Sequence, residues 1–190
     1  MAAPRNENIK AIILDAAEAL LQKKSPSDIS LAQIAESSGV SKGTLYYYYK
    51  NKNDLLFDIT DRYLSRQWEE LIAWTENKEK DTSVHRLVKY VVERNVETSD
   101  FRLHLLDAAI LGDDALREKL IRRYMEFQAL ISRKIAERTD AVSADYITWL
   151  ILTASDGIIV QKALHNEAFD AAEFIARSAD YVRMLEKEEQ

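Results

Sequence analysis

The chain has no cysteine, and among its 190 residues there are only two prolines, four glycines and three histidines. Without thiols there is no disulfide and no thiolate metal site, which fits a cytoplasmic protein. Nowhere do about 18 apolar residues follow one another, so no membrane span is expected. No charged segment followed by an apolar stretch opens the chain as an export signal would. Neither strand alternation, an internal repeat nor a low-complexity tract is evident. None of His85, His104 and His165 has a glutamate three residues before it, so the Glu-x-x-His pairs of a carboxylate-bridged metal bundle are missing. There is no HExxH and no glycine-rich phosphate loop. Enzymatic activity is therefore not expected, and neither is a metal or a cofactor.

What is present is a chain with 47% hydrophobic residues, ample for a core, and a formal net charge of −6. That charge is unevenly divided. Residues 1–53 hold seven Lys/Arg against five acids, a net of +2, while the remaining 137 carry 19 bases and 27 acids, a net of −8. A basic head on an acidic body is expected, with domains at 1–53 and 54–190. Residues 1–8 are polar and expected to fray, with Arg5 in reach of a phosphate.

Apolar periodicity predicts helices throughout. The first runs from about Glu7 to Lys23, and Ser25-Pro26-Ser27-Asp28 turns out of it because proline cannot continue a helix. Ser30 stands as an N-cap before Leu31, Ile34 and Ala35, with Gln33 placed to close a capping box. Gly39 can take the left-handed conformation of a sharp turn. Ser41 then caps a second helix, whose Leu45 and Tyr49 lie on one face while Lys42, Thr44, Tyr46, Tyr47 and Tyr48 point largely outward. Asn51 followed by Asp54 opens a long helix, near 51–77, that crosses the change in charge. Further helices are expected at 83–98, 101–111, 113–138, 143–164 and from the Asp170 cap to the C-terminal tail.

Two short helices around a tight turn, the second with small, basic, hydroxyl and aromatic side chains near its start, form a helix-turn-helix suited to a major groove. The run Gly39-Val40-Ser41-Lys42-Gly43-Thr44-Leu45-Tyr46-Tyr47-Tyr48-Tyr49-Lys50-Asn51-Lys52 closely resembles the signature of the TetR/AcrR family of transcriptional regulators, over roughly Ile9 to Asp58. The resemblance implies an all-α protein: a three-helix helix-turn-helix domain, then a six-helix ligand-binding and dimerisation bundle. It also implies a homodimer that binds a double-stranded, near-palindromic operator, most often as a repressor whose DNA affinity changes when a small molecule binds the C-terminal domain. An echo of that family lies at Ala154-Ser155-Asp156-Gly157-Ile158.

Lys42 is the first candidate for reading guanine O6 and N7 directly. Gly43 permits a close backbone approach, and Thr44 offers a hydroxyl to phosphate or a methyl to thymine. Tyr46 and Tyr47 are expected to face DNA, Tyr48 to reach a phosphate, and Tyr49 to be core. Ser30, Ser41 and Lys52 lie at helix N-termini, where a phosphate is favoured. An effector pocket is expected from Trp68, Asn95, His104, Tyr124, Trp149 and Thr153, polar or aromatic groups near apolar faces. A dimer interface is expected at Ile151, Ala154, Gly157, Ile158, Ile175 and Val182. The alternative is a helix-turn-helix protein with no small-molecule effector, controlled by a partner protein.

Overall fold

The computed structural model of the chain describes residues 6–96 and 99–188. Arg5, Glu97, Thr98, Glu189 and Gln190 lie outside them. The described residues form nine α-helices and no strand. In order these are α1 (Asn6–Leu21), α2 (Leu31–Ser38), α3 (Lys42–Tyr48), α4 (Lys52–Glu76), α5 (Val84–Val96), α6 (Ser99–Ile110), α7 (Asp114–Ala136), α8 (Ala144–Ala163) and α9 (Ala171–Glu188). A single 3₁₀ turn, Pro26–Asp28, joins α1 to α2. The fold is the all-α arrangement of a helix-turn-helix and a helical bundle.

Local chemistry sets most of the helix starts. The Ser30 hydroxyl accepts the amide of Gln33 at 3.2 Å, and the Gln33 carboxamide accepts the amide of Ser30 at 2.8 Å, closing the expected box. Ser41 accepts from the Thr44 amide, Asn51 from Asp54, Asp113 from Leu116, Ser143 from Tyr146 and Asp170 from Glu173. Each of these satisfies one of the amides that a helix N-terminus leaves without an internal partner. Gly39 ends α2 at φ +69°, and its amide returns to the Glu36 carbonyl. A Cβ at Gly39 would meet nothing within 4 Å, so the demand there is conformational rather than steric. Gly39→Ala is therefore expected to cost about 1 kcal/mol. A melting temperature lower by about 2–4 °C is the corresponding measurement.

The chain divides into two compact units, Met1–Tyr63 with Asp100–Arg117, and Leu64–Ser99 with Glu118–Gln190. The first is larger than the 1–53 segment delimited by charge. Leu55 and Ile59 of α4 complete the core of Ile13, Ala17, Ile34 and Leu45. Arg62 of α4 bridges Asp15 and Glu18 of α1, each at 2.7 Å. The segment 100–117 joins this unit too, with Asp113 accepting from the Asn53 carboxamide at 3.1 Å. The second unit is built around α5, whose Val84, Leu87, Val88, Val91 and Val92 are buried against α8 and α9. Leu130, Ile131 and Ile135 of α7 belong to the same core.

Candidate nucleic-acid interface and effector region

The α2–turn–α3 element presents its reading face because its other face is consumed. Leu45 is fully buried and Tyr49, in extended conformation just past the end of α3, is nearly so. Lys42 and Gly43 are left exposed in the first turn of α3, with Tyr46 46% and Tyr47 71% exposed beyond them. Two phenols so far out of a core are free to meet thymine methyls or phosphate oxygens. Tyr48 is half-buried, packs on the unit's core and lies edge-on to Tyr47 with ring centroids 5.3 Å apart. It supports Tyr47 as much as it faces outward. The hydroxyls of Ser30, Ser41 and Thr44 are exposed or nearly so but engaged in caps, and the Ser41 and Thr44 hydroxyls lie 2.8 Å apart.

Two lysines take roles that local sequence signals do not reveal. The Lys52 ammonium donates to the carbonyl of Pro26 at 2.7 Å, tying the start of α4 to the 3₁₀ turn that leads into α2. It thus holds backbone, with donors to spare for a phosphate. Lys50 donates to the Tyr46 carbonyl at 3.1 Å. A cation there satisfies an orphan carbonyl and suits the negative end of the α3 dipole.

The expected effector residues do not all come together. Trp68, Asn95 and Tyr124 belong to the second unit and share one neighbourhood. The Trp68 ring meets Phe127 edge-on at 5.3 Å, Asn95 donates to the Ser155 hydroxyl at 3.3 Å, and Tyr124 donates to Asp156 at 2.7 Å. Gln67, buried beside them, donates to the Arg94 carbonyl at 2.7 Å. The space left between Gln67, Tyr90, Asn95 and Phe127 is about 10 Å³, room for one water at most. A cleft of about 290 Å³ opens beside Trp68, between α4 and α7, with Arg123 and Glu126 on its far side. His104 is placed elsewhere, in the first unit on α6, where burial and then the charge of Lys52 lower its pKa. Trp149 and Thr153 lie on the outer surface of α8, and the Thr153 hydroxyl turns back to the Trp149 carbonyl. Asn95 lies inward on its apolar helix face, whereas His104 is on α6 in the other unit and Trp149 and Thr153 are on a second, exposed side of α8.

Known proteins bear on this geometry. The sequence pattern of the bacterial regulatory proteins of the tetR family matches residues 13–59, the span of the helix-turn-helix and its supporting helices. The helix-turn-helix region is of the tetR family. It is 27% identical to the HTH-type transcriptional regulator BetI of Serratia proteamaculans over 180 residues, 90% of this chain and 88% of that protein. A transcriptional regulator from Saccharomonospora viridis in complex with choline superposes with a TM-score of 0.65 at 17% identity, covering 92% of this chain and 95% of that one. FadR of Bacillus subtilis in complex with stearoyl-CoA gives 0.64 at 16%, covering 93% and 97%. At such identities these structures establish a shared fold only.

The second unit carries a large apolar surface. Along α8, Tyr146, Trp149, Leu150 and Val160 are exposed at helical spacing, as is Leu164 at its C-cap, and along α9 Phe174, Tyr181, Met184 and Leu185 are too. Between the two helices Tyr146, Leu150, Ala154, Phe174, Tyr181 and Leu185 line a groove of about 320 Å³. The residues expected at a dimer interface divide between the core and the surface. Ile151, Ile158, Ile175 and Val182 are buried in the subunit's own core. Only Ala154 and Gly157 keep access to the outer surface, and a Cβ at Gly157 would meet nothing within 4 Å.

Proposed function

We propose that this TetR-family regulator is a ligand-responsive repressor that binds a near-palindromic operator as a homodimer. The observation that carries the reading is α3 itself: a doubly anchored, N-capped helix exposing a lysine, a glycine and two tyrosines in the register of a recognition helix. Two such heads enter successive major grooves about 34–36 Å apart. The second copy covers the apolar α8–α9 surface, since exposed patches of that kind mark interaction sites on soluble proteins. A net charge of only +2 on residues 1–53 gives modest non-specific affinity that salt weakens steeply.

The effector acts from the Trp68–Asn95–Tyr124 region by favouring a conformer whose heads are wrongly spaced. DNA and effector then weaken each other by the same factor. Relatives of this fold are held with ligands as unlike as choline and stearoyl-CoA, which supports a small-molecule site and leaves its chemistry to the lining residues. One observation favours the alternative, control by a partner protein without an effector: the core around Asn95 is closed to about 10 Å³. Thermal stabilisation across a library of small molecules separates the two, because only the first reading yields a ligand whose addition releases DNA.

Selection of duplexes from a random library by the ligand-free protein, at near-physiological salt, tests the central claim. Enrichment of a two-fold symmetric site is expected; a dimer enriching no site would overturn the reading. On the selected site, Lys42→Ala is expected to relax preference at one base pair per half-site, costing about 1–3 kcal/mol there. Unchanged preference and affinity in that variant would remove Lys42 from the base-reading set.

A further inference from the structure

The recognition helix is only seven residues long, Lys42–Tyr48, and a helix that short has little stability of its own. Its orientation is set from outside, by the two buried side chains beneath it. Leu45 sits in an apolar core, where it resists withdrawal but offers no directional bond. Tyr49 is different. Its ring is 2% exposed, and its hydroxyl donates to Asp58 of α4 at 3.0 Å. The same carboxylate oxygen receives the Lys10 ammonium of α1 at 2.7 Å, and that ammonium lies 6.0 Å from the Tyr49 ring centroid. One turn along α4, Arg62 bridges Asp15 and Glu18, so the α4 face bearing Asp58 is fixed to α1 on both sides. Burial first, and then the charge of Asp58, push the Tyr49 phenol well above its ordinary pKa, so it remains a donor.

We infer that Tyr49, Asp58 and Lys10 form a positioning triad that sets the tilt of the recognition helix, making Tyr49 a determinant of base specificity although it touches no base. This rests on the DNA reading proposed above. Seven residues at 1.5 Å each make α3 about 10 Å long. Tyr49 anchors one end, and Lys42, Gly43 and Thr44 lie at the other. A tilt of about 6° at the anchor moves the reading end by about 1 Å. Hydrogen bonds to base edges weaken steeply over such a shift. Lysine contacts to phosphate adapt, because the ammonium swings on a flexible stem. Loss of the anchor is therefore felt in specific binding and barely in non-specific binding, whereas simple destabilisation would lower both together.

The test is Tyr49→Phe, which keeps the ring and removes only the hydroxyl. The selected site of the full-length wild type and a random duplex of equal length serve as probes, and circular dichroism checks helix content. Operator affinity is expected to fall about ten-fold, the loss typical of a mismatched base pair, while random-duplex affinity stays within about two-fold. If Tyr49→Phe fails to fold, Lys10→Met decides, because the Lys10 side chain is 48% exposed and leaves the core intact. There the ratio of specific to random binding, which cancels the lost charge, is expected to fall about three-fold. Equal changes on both probes, or none, would overturn the inference while leaving DNA binding standing. A wild type that enriches no site would instead remove the DNA reading itself, and this inference with it.

Discussion

Leu150→Glu is expected to leave the protein monomeric at micromolar concentration and to weaken operator binding at least about 100-fold. Leu150 is 49% exposed on α8 and lines the groove between α8 and α9, so the substitution leaves the subunit's core intact. In a symmetric dimer every interface residue is used twice, so each pairing would have to bury two carboxylates. An unpaired charge in a desolvated site costs on the order of 3–5 kcal/mol, which already corresponds to about 10²–10⁴ in dissociation constant. A monomer also loses the second half-site, and with it an avidity of about 10²–10⁴. Sedimentation equilibrium reads the mass and a gel shift on the selected site reads the affinity. A Leu150→Glu protein that remained dimeric and bound normally would place the interface elsewhere.

The position of that surface shows where sequence reading fails. On a helix with one apolar stripe, periodicity identifies the inward face. Thus Leu31, Ile34 and Ala35 of α2 are buried as expected. Along α8, however, Ile147, Ile151 and Ile158 face the core while Tyr146, Leu150 and Val160 face out. Both stripes are apolar, so composition does not say which serves the fold and which a partner. Ile151 and Ile158, expected at an interface from the family echo around Gly157, lie on the buried stripe.

The helix-turn-helix was legible because its determinants are local. Ser30 and Gln33, Gly39, and Ser41 and Thr44 act within three or four residues of one another. The contacts that orient these elements are not local. Lys52 reaches Pro26 across 26 positions, and Arg62 reaches Asp15 across 47. Tyr49 was expected in the core from its spacing to Leu45, but nothing near it in the chain announces that its hydroxyl ends on Asp58. His104 fails for a related reason. A helix over its segment is expected from the sequence, while its packing partners, near Lys52, depend on where the chain returns.

Arg138 is the clearest case of a residue whose importance is invisible along the chain, and its removal is expected to have the largest effect on stability. It follows α7 as one charge among many in the sequence. In the folded unit its guanidinium donates to the carbonyls of Thr82 and Lys134, both at 2.6 Å, and of Thr75 at 2.9 Å. Thr75 and Lys134 lie in the last turns of α4 and α7, where carbonyls lack an intrahelical donor. The positive charge meets the negative ends of both helix dipoles. Its planar fork supplies directions that an ammonium cannot match at once. With the side chain 15% exposed, water does not readily replace it. Arg138→Ala leaves three carbonyls to find new donors at about 1–3 kcal/mol for each that stays buried, partly relieved by relaxation. A loss of about 2–4 kcal/mol is expected, read as a lower urea midpoint at unchanged slope. Arg138→Lys keeps the charge but serves fewer carbonyls, so it should recover about half. Full recovery with lysine would show that charge at the helix ends matters and the three-way geometry does not.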